Sequence, residues 1–266
     1  FLIINGSGAT VLNLNFDGRS ANQGASYSPN RHCVRIEGAF SDVLVQNCDM
    51  TNIIGDGVYV HTQTSENIAI QTNTFTANYD NHGGVTVVSG SNVLVDDNTF
   101  TNMAKPAYPG AINVEPLDYW DYCHDIYITD NTVDGGSGAP GDSVEAGIVY
   151  TGTANASSKN IQITGNEIVG THINAAVNVV GNSSGPLNRV RDLVINSNNI
   201  HNMAATGKAV RIVDFIQCSS ISTNTFNGMQ DAVHNTSGST VLTTISGNSY
   251  IGVTNNLTNT TPNNAT

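Results

Sequence analysis

The sequence predicts an all-β chain wound as a parallel β-helix, a solenoid of about eight to ten coils with loop insertions in the middle coils. Three observations carry that expectation. An Asn-marked segment recurs at a near-constant interval, apolar residues inside it alternate with period two, and Gly, Asn, Asp and Ser punctuate the joints.

The recurring segments read DVLVQNCDM (42–50), NIAIQTNTF (67–75), NVLVDDNTF (92–100), DIYITDNTV (125–133), NIQITGNEI (160–168), DLVINSNNI (192–200) and CSSISTNTF (218–226), with a last copy ending at Tyr250. Their seventh position is Cys48, Asn73, Asn98, Asn131, Asn166, Asn198, Asn224 and Asn248, so successive copies lie 25, 25, 33, 35, 32, 26 and 24 residues apart. A floor near 25 with excursions describes one coil per repeat, enlarged around residues 101–110, 116–124, 134–145 and 182–191. A single coil cannot bury its own apolar face, so it stacks on its neighbours.

Alternation within the repeat (Val43/Val45, Ile68/Ile70, Val93/Val95, Ile126/Ile128, Ile161/Ile163, Leu193/Ile195) marks a strand with one buried face. A second strand follows in most coils, around Val58, Val85, Ile112, Ile148, Val177 and Val210. No stretch sustains 3.6-residue apolar spacing, so helices are expected to be few. The recurring Asn is expected to take the left-handed corner conformation and to bond the Asn of the next coil. Met50, Phe75, Phe100, Val133, Ile168, Ile200, Phe226 and Tyr250 follow it as an inward stack. Residues 1–252 are expected to form the solenoid, and the Asn/Thr-rich residues 253–266 a low-complexity tail.

Charged residues are 11% of the chain, and the net charge of −12 reflects only nine Lys and Arg in total. Phosphate neutralisation needs basic clusters, which argues against nucleic acid as a partner. No apolar run reaches membrane-spanning length. The chain opens in mid-coil, so upstream sequence is expected to be missing, and the lack of a leader does not argue for the cytosol. The four cysteines, Cys33, Cys48, Cys123 and Cys218, lack metal-ligand spacing and read best as buried thiols. No metal or other cofactor is expected, although a bridging Ca²⁺ would be needed if the glycan were polyanionic.

A solenoid wall is monotonous, so function is expected where the pattern breaks. The insertion LDYWDYCHD holds the one Trp of the chain, Trp120, with Tyr119, Asp118, Asp121 and His124. Aromatic faces beside carboxylates suit sugar rings. On the second strand the outward positions form the column Arg35, Tyr59, Thr86, Asn113, Val149, Asn178 and Arg211, followed two residues on by Glu37, His61, Val88 and Glu115. His61 and Glu115 would sit two coils apart, roughly 10 Å. Glu115 is the candidate acid or base, with Asp118, Asp142 and His61 as catalytic partners. Tyr59, Asn113, Tyr119, Trp120, His82 and Arg211 are the candidate substrate contacts.

The repeated N-x-[IV]-x-[IV]-x-x-N-x-[FIV] coil resembles the right-handed parallel β-helix superfamily, which includes pectate lyases, polygalacturonases, mannuronan C5-epimerases and bacteriophage tailspike depolymerases. The strand GAINVEP (110–116) is similar to a G-[IV]-[DN]-[IVL]-E-P strand of glycan-active members, in which two alternate acidic side chains face the substrate groove; Asn113 stands at the first of those positions. The Arg-Ile-Lys and Gly-His-Gly signatures of polygalacturonases and the Asp-Pro-His motif of epimerases are absent. The resemblance implies a polysaccharide or cell-surface glycan as partner, an extracellular, cell-surface or virion-surface location, and a homotrimer as a compatible assembly. Glycoside hydrolysis fits the charge balance better than lysis or epimerisation. The contrasting reading is a non-catalytic spike, adhesin, fibre or surface-layer protein.

Overall fold

The chain is a three-faced parallel β-helix in the computed structural model, which describes residues 2–19, 31–77, 82–103, 110–118, 120–135, 144–152, 157–170, 173–181, 190–203, 206–213, 216–236, 241–242 and 244–259. Among these residues there is no helix, and the strand pairings are parallel. One face stacks Val34–Glu37, the start of Asp56–Gln71, the start of Gly83–Asp96, Ile112–Val114, Val144–Thr151, Ile173–Val180 and Lys208–Val213. A second stacks Ser41–Gln46, the ends of those two long strands, Tyr122–Thr129, Ser157–Thr164 and Val190–Asn196. The third is built from three-residue strands such as Thr74–Thr76, Thr99–Thr101 and Thr132–Asp134.

The Asn ladder closes the corner between the second and third faces. Asn73 donates its backbone N–H (2.9 Å) and its Nδ2 (3.0 Å) to Asn98 Oδ1, and its Nδ2 also donates to the Val45 carbonyl (3.0 Å). The same set recurs at Asn98, Asn131, Asn166, Asn198 and Asn224, each bonding the Asn of the following coil. Buried amides are tolerated only when satisfied, and here the side chain uses both donors and its oxygen. At Cys48 the thiol stands in: its Sγ reaches the Val11 carbonyl at 3.8 Å, and its N–H donates to Asn73 Oδ1.

The left-handed residue is not the ladder Asn, as expected from sequence, but the residue before it: Asn47, Thr72, Asp97, Asp130, Gly165, Ser197, Thr223 and Gly247 all have positive φ. The corner turns on that residue, which lets the following Asn point inward. The inward stack beside it is as expected, with Phe75 and Phe100 parallel at 4.7 Å between ring centroids. At the C-terminal end the strand Ser249–Asn259 runs past residue 252 into the segment read as a tail, pairing Met229 with Val253 and Val233 with Leu257. Parallel pairing needs only backbone groups and a period-two apolar rank, and Val253 and Leu257 supply it.

Removing one rung leaves buried groups without partners. Asn131→Ala strips the acceptor from Asn98 and the donor from the Val95 carbonyl, so it should lower stability by about 3 kcal/mol or more. Asn67→Gly, at an exposed corner of positive φ where among the described residues the amide bonds Asp42 and Asn92, should cost under about 1 kcal/mol. Denaturant midpoints of the two variants check the contrast; equal midpoints would contradict the ladder's role.

Candidate functional site

The outward column read from the sequence is a real rank. Arg35 pairs with Tyr59, Tyr59 with Thr86, Thr86 with Asn113, Asn113 with Val149, Val149 with Asn178, and Asn178 with Arg211. The rank is not uniformly open: Thr86, Asn113, Val149 and Asn178 are buried, whereas Tyr59 and Arg211 are half-buried. The second column departs from expectation at one place. His61 faces Ser89 rather than Val88, because Val88 is an extra residue at a register shift, buried but outside the main apolar cluster. That bulge re-aims His61, as bulges do.

His61 lies on a polar line. The Tyr59 hydroxyl is 3.5 Å from His61 Nδ1, and His61 Nε2 is 3.4 Å from Asp121 Oδ1. Asp121 is buried, and its other oxygen accepts the N–H groups of Leu117 (3.0 Å) and Asp118 (2.8 Å). One carboxylate oxygen thus fixes the turn at Leu117 and Asp118, while the other lies 3.4 Å from the imidazole without a hydrogen bond to it. Tyr122 continues the chain by exchanging hydrogen bonds with the Ser89 hydroxyl, which places the loop against the His61 coil. Trp120, on that loop, is 46% exposed and presents an aromatic surface.

Beneath Tyr59 is a buried anion. Asp56 is fully buried, with His82 Nδ1 (2.8 Å) and Thr86 Oγ1 (2.8 Å) donating to Oδ1 and His32 Nδ1 3.0 Å from Oδ2. Burial alone would raise the Asp56 carboxyl, but the hydrogen bonds and charge of His32 and His82 hold it below the usual range. The His32 ring stacks on Tyr59 at 4.2 Å. Gly83, in register with Asp56, has no Cβ to intrude: one built there would lie 2.9 Å from Asn113 Nδ2 and 3.1 Å from Asp56 Oδ1.

Glu115 follows the strand Ile112–Val114 directly, and its N–H is bonded to the Val87 carbonyl. Burial pushes its carboxyl up to about 7, with the charge of His82 pulling down and that of Asp56 pushing up. Tyr59 is also raised, chiefly by burial and then by Asp56 and Glu115, so its phenol stays protonated. Glu115 is therefore a carboxylic acid that keeps its proton under mildly acidic conditions and loses it as pH rises through about 7.

The expected residues thus separate. His82 bonds Asp56, and Tyr59 and Glu115 lie close enough to feel its charge, whereas His61 meets Tyr59 and Asp121 instead, Trp120 and Asp121 coming from the adjoining loop. His82 is engaged by Asp56 rather than offered outright to a ligand. Asn113 is fully buried and donates to Thr86 Oγ1 (3.3 Å), so it forms the wall, not a contact surface. Asp118 is an exposed turn residue held by Asp121, with no place beside Glu115 in the bonding pattern. Arg211 stands five coils along the rank from Tyr59, with His234 and Thr258 beyond it. Tyr119 and Asp142 lie outside the described residues. Sequence reasoning missed His32 and Asp56. Asp56 shares strand parity with the core residues Val58 and Val60, and a carboxylate at inward parity was the available signal. Cys33, Cys48 and Cys123 are buried free thiols. Among the described residues no group of three or more His, Cys, Asp or Glu is arranged to hold a metal ion, and no helix is long and apolar enough to cross a membrane.

A rank of coils of this pattern, with its polar cluster on one face, defines a β-solenoid class. Residues 1–188 match the family described as right handed beta helix region, and the chain belongs to that family. Among solved structures it is similar to a double mutant of the tailspike protein of E. coli bacteriophage HK620 (13% identity, TM-score 0.56, 83% of this chain and 42% of that one). A single mutant of that tailspike in complex with a pentasaccharide aligns at 11% identity and TM-score 0.49 over 79% of this chain and 42% of that one. The family 28 exopolygalacturonase of Yersinia enterocolitica aligns at 11% identity and TM-score 0.44 over 85% of this chain and 44% of that one. The chain thus spans under half the length of each of these proteins. No curated protein matches its sequence.

Titration of Glu115 should be visible in stability. Its folded-state value lies above the ordinary 4.5, so the protein is unaffected below pH 4.5, loses stability as pH rises through 4.5 to 7, and carries the full penalty above. Asp56, held low, acts in the opposite sense, its contribution vanishing as pH falls. Glu115→Gln should therefore unfold like the wild type at pH 4 and be more stable at pH 8, by up to about 3 kcal/mol. Denaturant melts at the two pH values check this; a pH-independent difference would contradict a shifted Glu115.

Proposed function

We propose that the chain binds a neutral or weakly charged polysaccharide across the Tyr59–Trp120 surface and hydrolyses it outside the cell or on a virion surface. The observation that carries this reading is the half-buried Glu115, whose charge is felt at Tyr59, the residue next to His61, on a face that also carries an exposed Trp. In the proposed reaction Glu115 gives its proton to the glycosidic oxygen as the bond to the anomeric carbon breaks. A water attacks that carbon from the other side and passes its proton to His61, which the nearby Asp121 carboxylate stabilises as imidazolium. A separation of roughly 10 Å between His61 and Glu115, two coils apart, leaves room for that water and predicts inversion. Trp120 and Tyr59 would hold sugar rings by their faces.

Hydrolysis is favoured over β-elimination because the cluster is rich in carboxylates, which suits an acid-catalysed step better than neutralisation of a uronate. The burial of Asp56 and Asp121 favours a second reading, a binding-only spike or adhesin, since neither carboxylate is open to a substrate.

Glu115→Gln should reduce release of reducing sugar from a polysaccharide panel by at least 1,000-fold, with binding retained. The wild-type rate should decline as pH rises above about 7, where Glu115 loses its proton. Wild-type-like turnover in the variant would reject Glu115 as the acid; glycan binding without turnover in the unmutated protein would establish the binding-only reading.

A further inference from the structure

Cations are scarce in this chain, nine against 21 acids, so a basic side chain has carboxylates to choose from. Arg35 takes Glu37 at 2.6 Å and Arg19 takes Asp17 at 4.0 Å. Among the described residues Lys159, Arg191, Lys208 and Arg211 form no ion pair; Lys159 and Arg191 are exposed, whereas Lys208 and Arg211 are half-buried on the strand Lys208–Val213. Arg211 instead donates Nη1 to the neutral Oδ1 of Asn178 at 3.4 Å, which turns the guanidinium toward the middle coils.

The nearest acid in register is already engaged. Lys208 pairs with Asp231 and Arg211 with His234. Asp231 is bonded to His234 Nδ1 (2.8 Å) and accepts Asn255 Nδ2 (2.8 Å) and Thr258 Oγ1 (2.9 Å). Its position matches that of Asp56: each precedes a core valine by two residues (Val233, Val58), and each takes a Thr hydroxyl from the next coil. At one end of the face such a nest holds histidines beside Glu115; at the other it holds His234 beside two cations.

We propose that Arg211, Lys208 and His234 form a second carbohydrate subsite that takes an anionic substituent, a carboxylate or a sulfate, on the same glycan. The subsite rests on the reading of this face as a glycan surface and specifies its substrate as sparsely acidic. A half-buried guanidinium with no carboxylate partner among the described residues is unfavourably placed, and an oxyanion relieves it through charge-assisted, bidentate hydrogen bonds. The overall charge of −12 repels a dense polyanion, so one acidic group among neutral sugars is the matching pattern. Five coil steps along the rank separate Tyr59 from Arg211, about 24 Å, which is the reach of a short oligosaccharide rather than of one ring.

Calorimetric titration of the full chain with oligogalacturonate, sulfated dextran and neutral dextran tests this, using the wild type, Arg211→Gln, Arg211→Lys and Glu115→Gln. The expected result is that at least one acidic probe binds more tightly than neutral dextran and weakens in 0.5 M salt. Arg211→Gln should lose at least tenfold in affinity for it, and Arg211→Lys should lose less. The unfolding midpoint of Arg211→Gln should equal or exceed that of the wild type, since no internal ion pair is removed. The carboxylate and sulfate arms tell the two anions apart. Equal affinity of Arg211→Gln and wild type, equal binding of neutral and acidic probes, or a lowered midpoint in Arg211→Gln would each overturn the subsite. Full cleavage by Glu115→Gln alongside weakened binding in Arg211→Gln would instead remove the catalytic assignment and leave the subsite standing.

Discussion

Each coil of this protein is held to the next by an asparagine that uses its whole amide. From Asn73 to Asn224, the backbone N–H and one Nδ2 hydrogen go forward to the next Asn, and the other Nδ2 hydrogen goes back to a strand carbonyl. A donor left unpaired in this corner would forfeit more than its bond is worth, because the group would still be buried. Register is thereby fixed coil by coil, and with it the rank of side chains on the long-stranded face. The site depends on that rank, since Tyr59, Thr86 and Asn113 come together only if every coil stacks without slippage.

On that register the chain builds an electrostatic gradient. Asp56 is anchored as an anion by two imidazoles and a hydroxyl in a fully buried nest. Glu115, less well provided with donors and close to that charge, keeps its proton under mildly acidic conditions instead. Two carboxyl groups on one face thus hold opposite protonation states because their surroundings differ, the arrangement acid–base chemistry requires. Further along the same rank the sign reverses at Lys208 and Arg211.

Much of this was legible in the sequence. The 25-residue floor, the alternation and the Phe75–Phe100 stack gave the architecture, because repeats must bury their faces on one another. The outward column from Arg35 to Arg211 followed from the same alternation. What the sequence hid were departures from periodicity. The Val88 bulge moved His61 by one position, and no pattern in GGVTVVS announces it. Asn113 reads as outward by parity yet is covered. Asp121 reads as a surface acid in an aromatic loop, but its carboxylate is consumed by two backbone N–H groups of its own turn. Asp56 sits at inward parity between two glycines at the start of its strand, where a carboxylate gives no periodic signal of its own.

The proposed function requires carbohydrate to bind on the long-stranded face, which is half-buried at Tyr59 and Arg211 and covered between them at Thr86, Asn113, Val149 and Asn178. A crystal structure of the intact chain soaked with an oligosaccharide that it binds tests this most directly. The account predicts sugar density along the rank from Tyr59 toward Arg211, with one ring against Trp120. Density confined to the Thr74–Thr99–Thr132 face would contradict it.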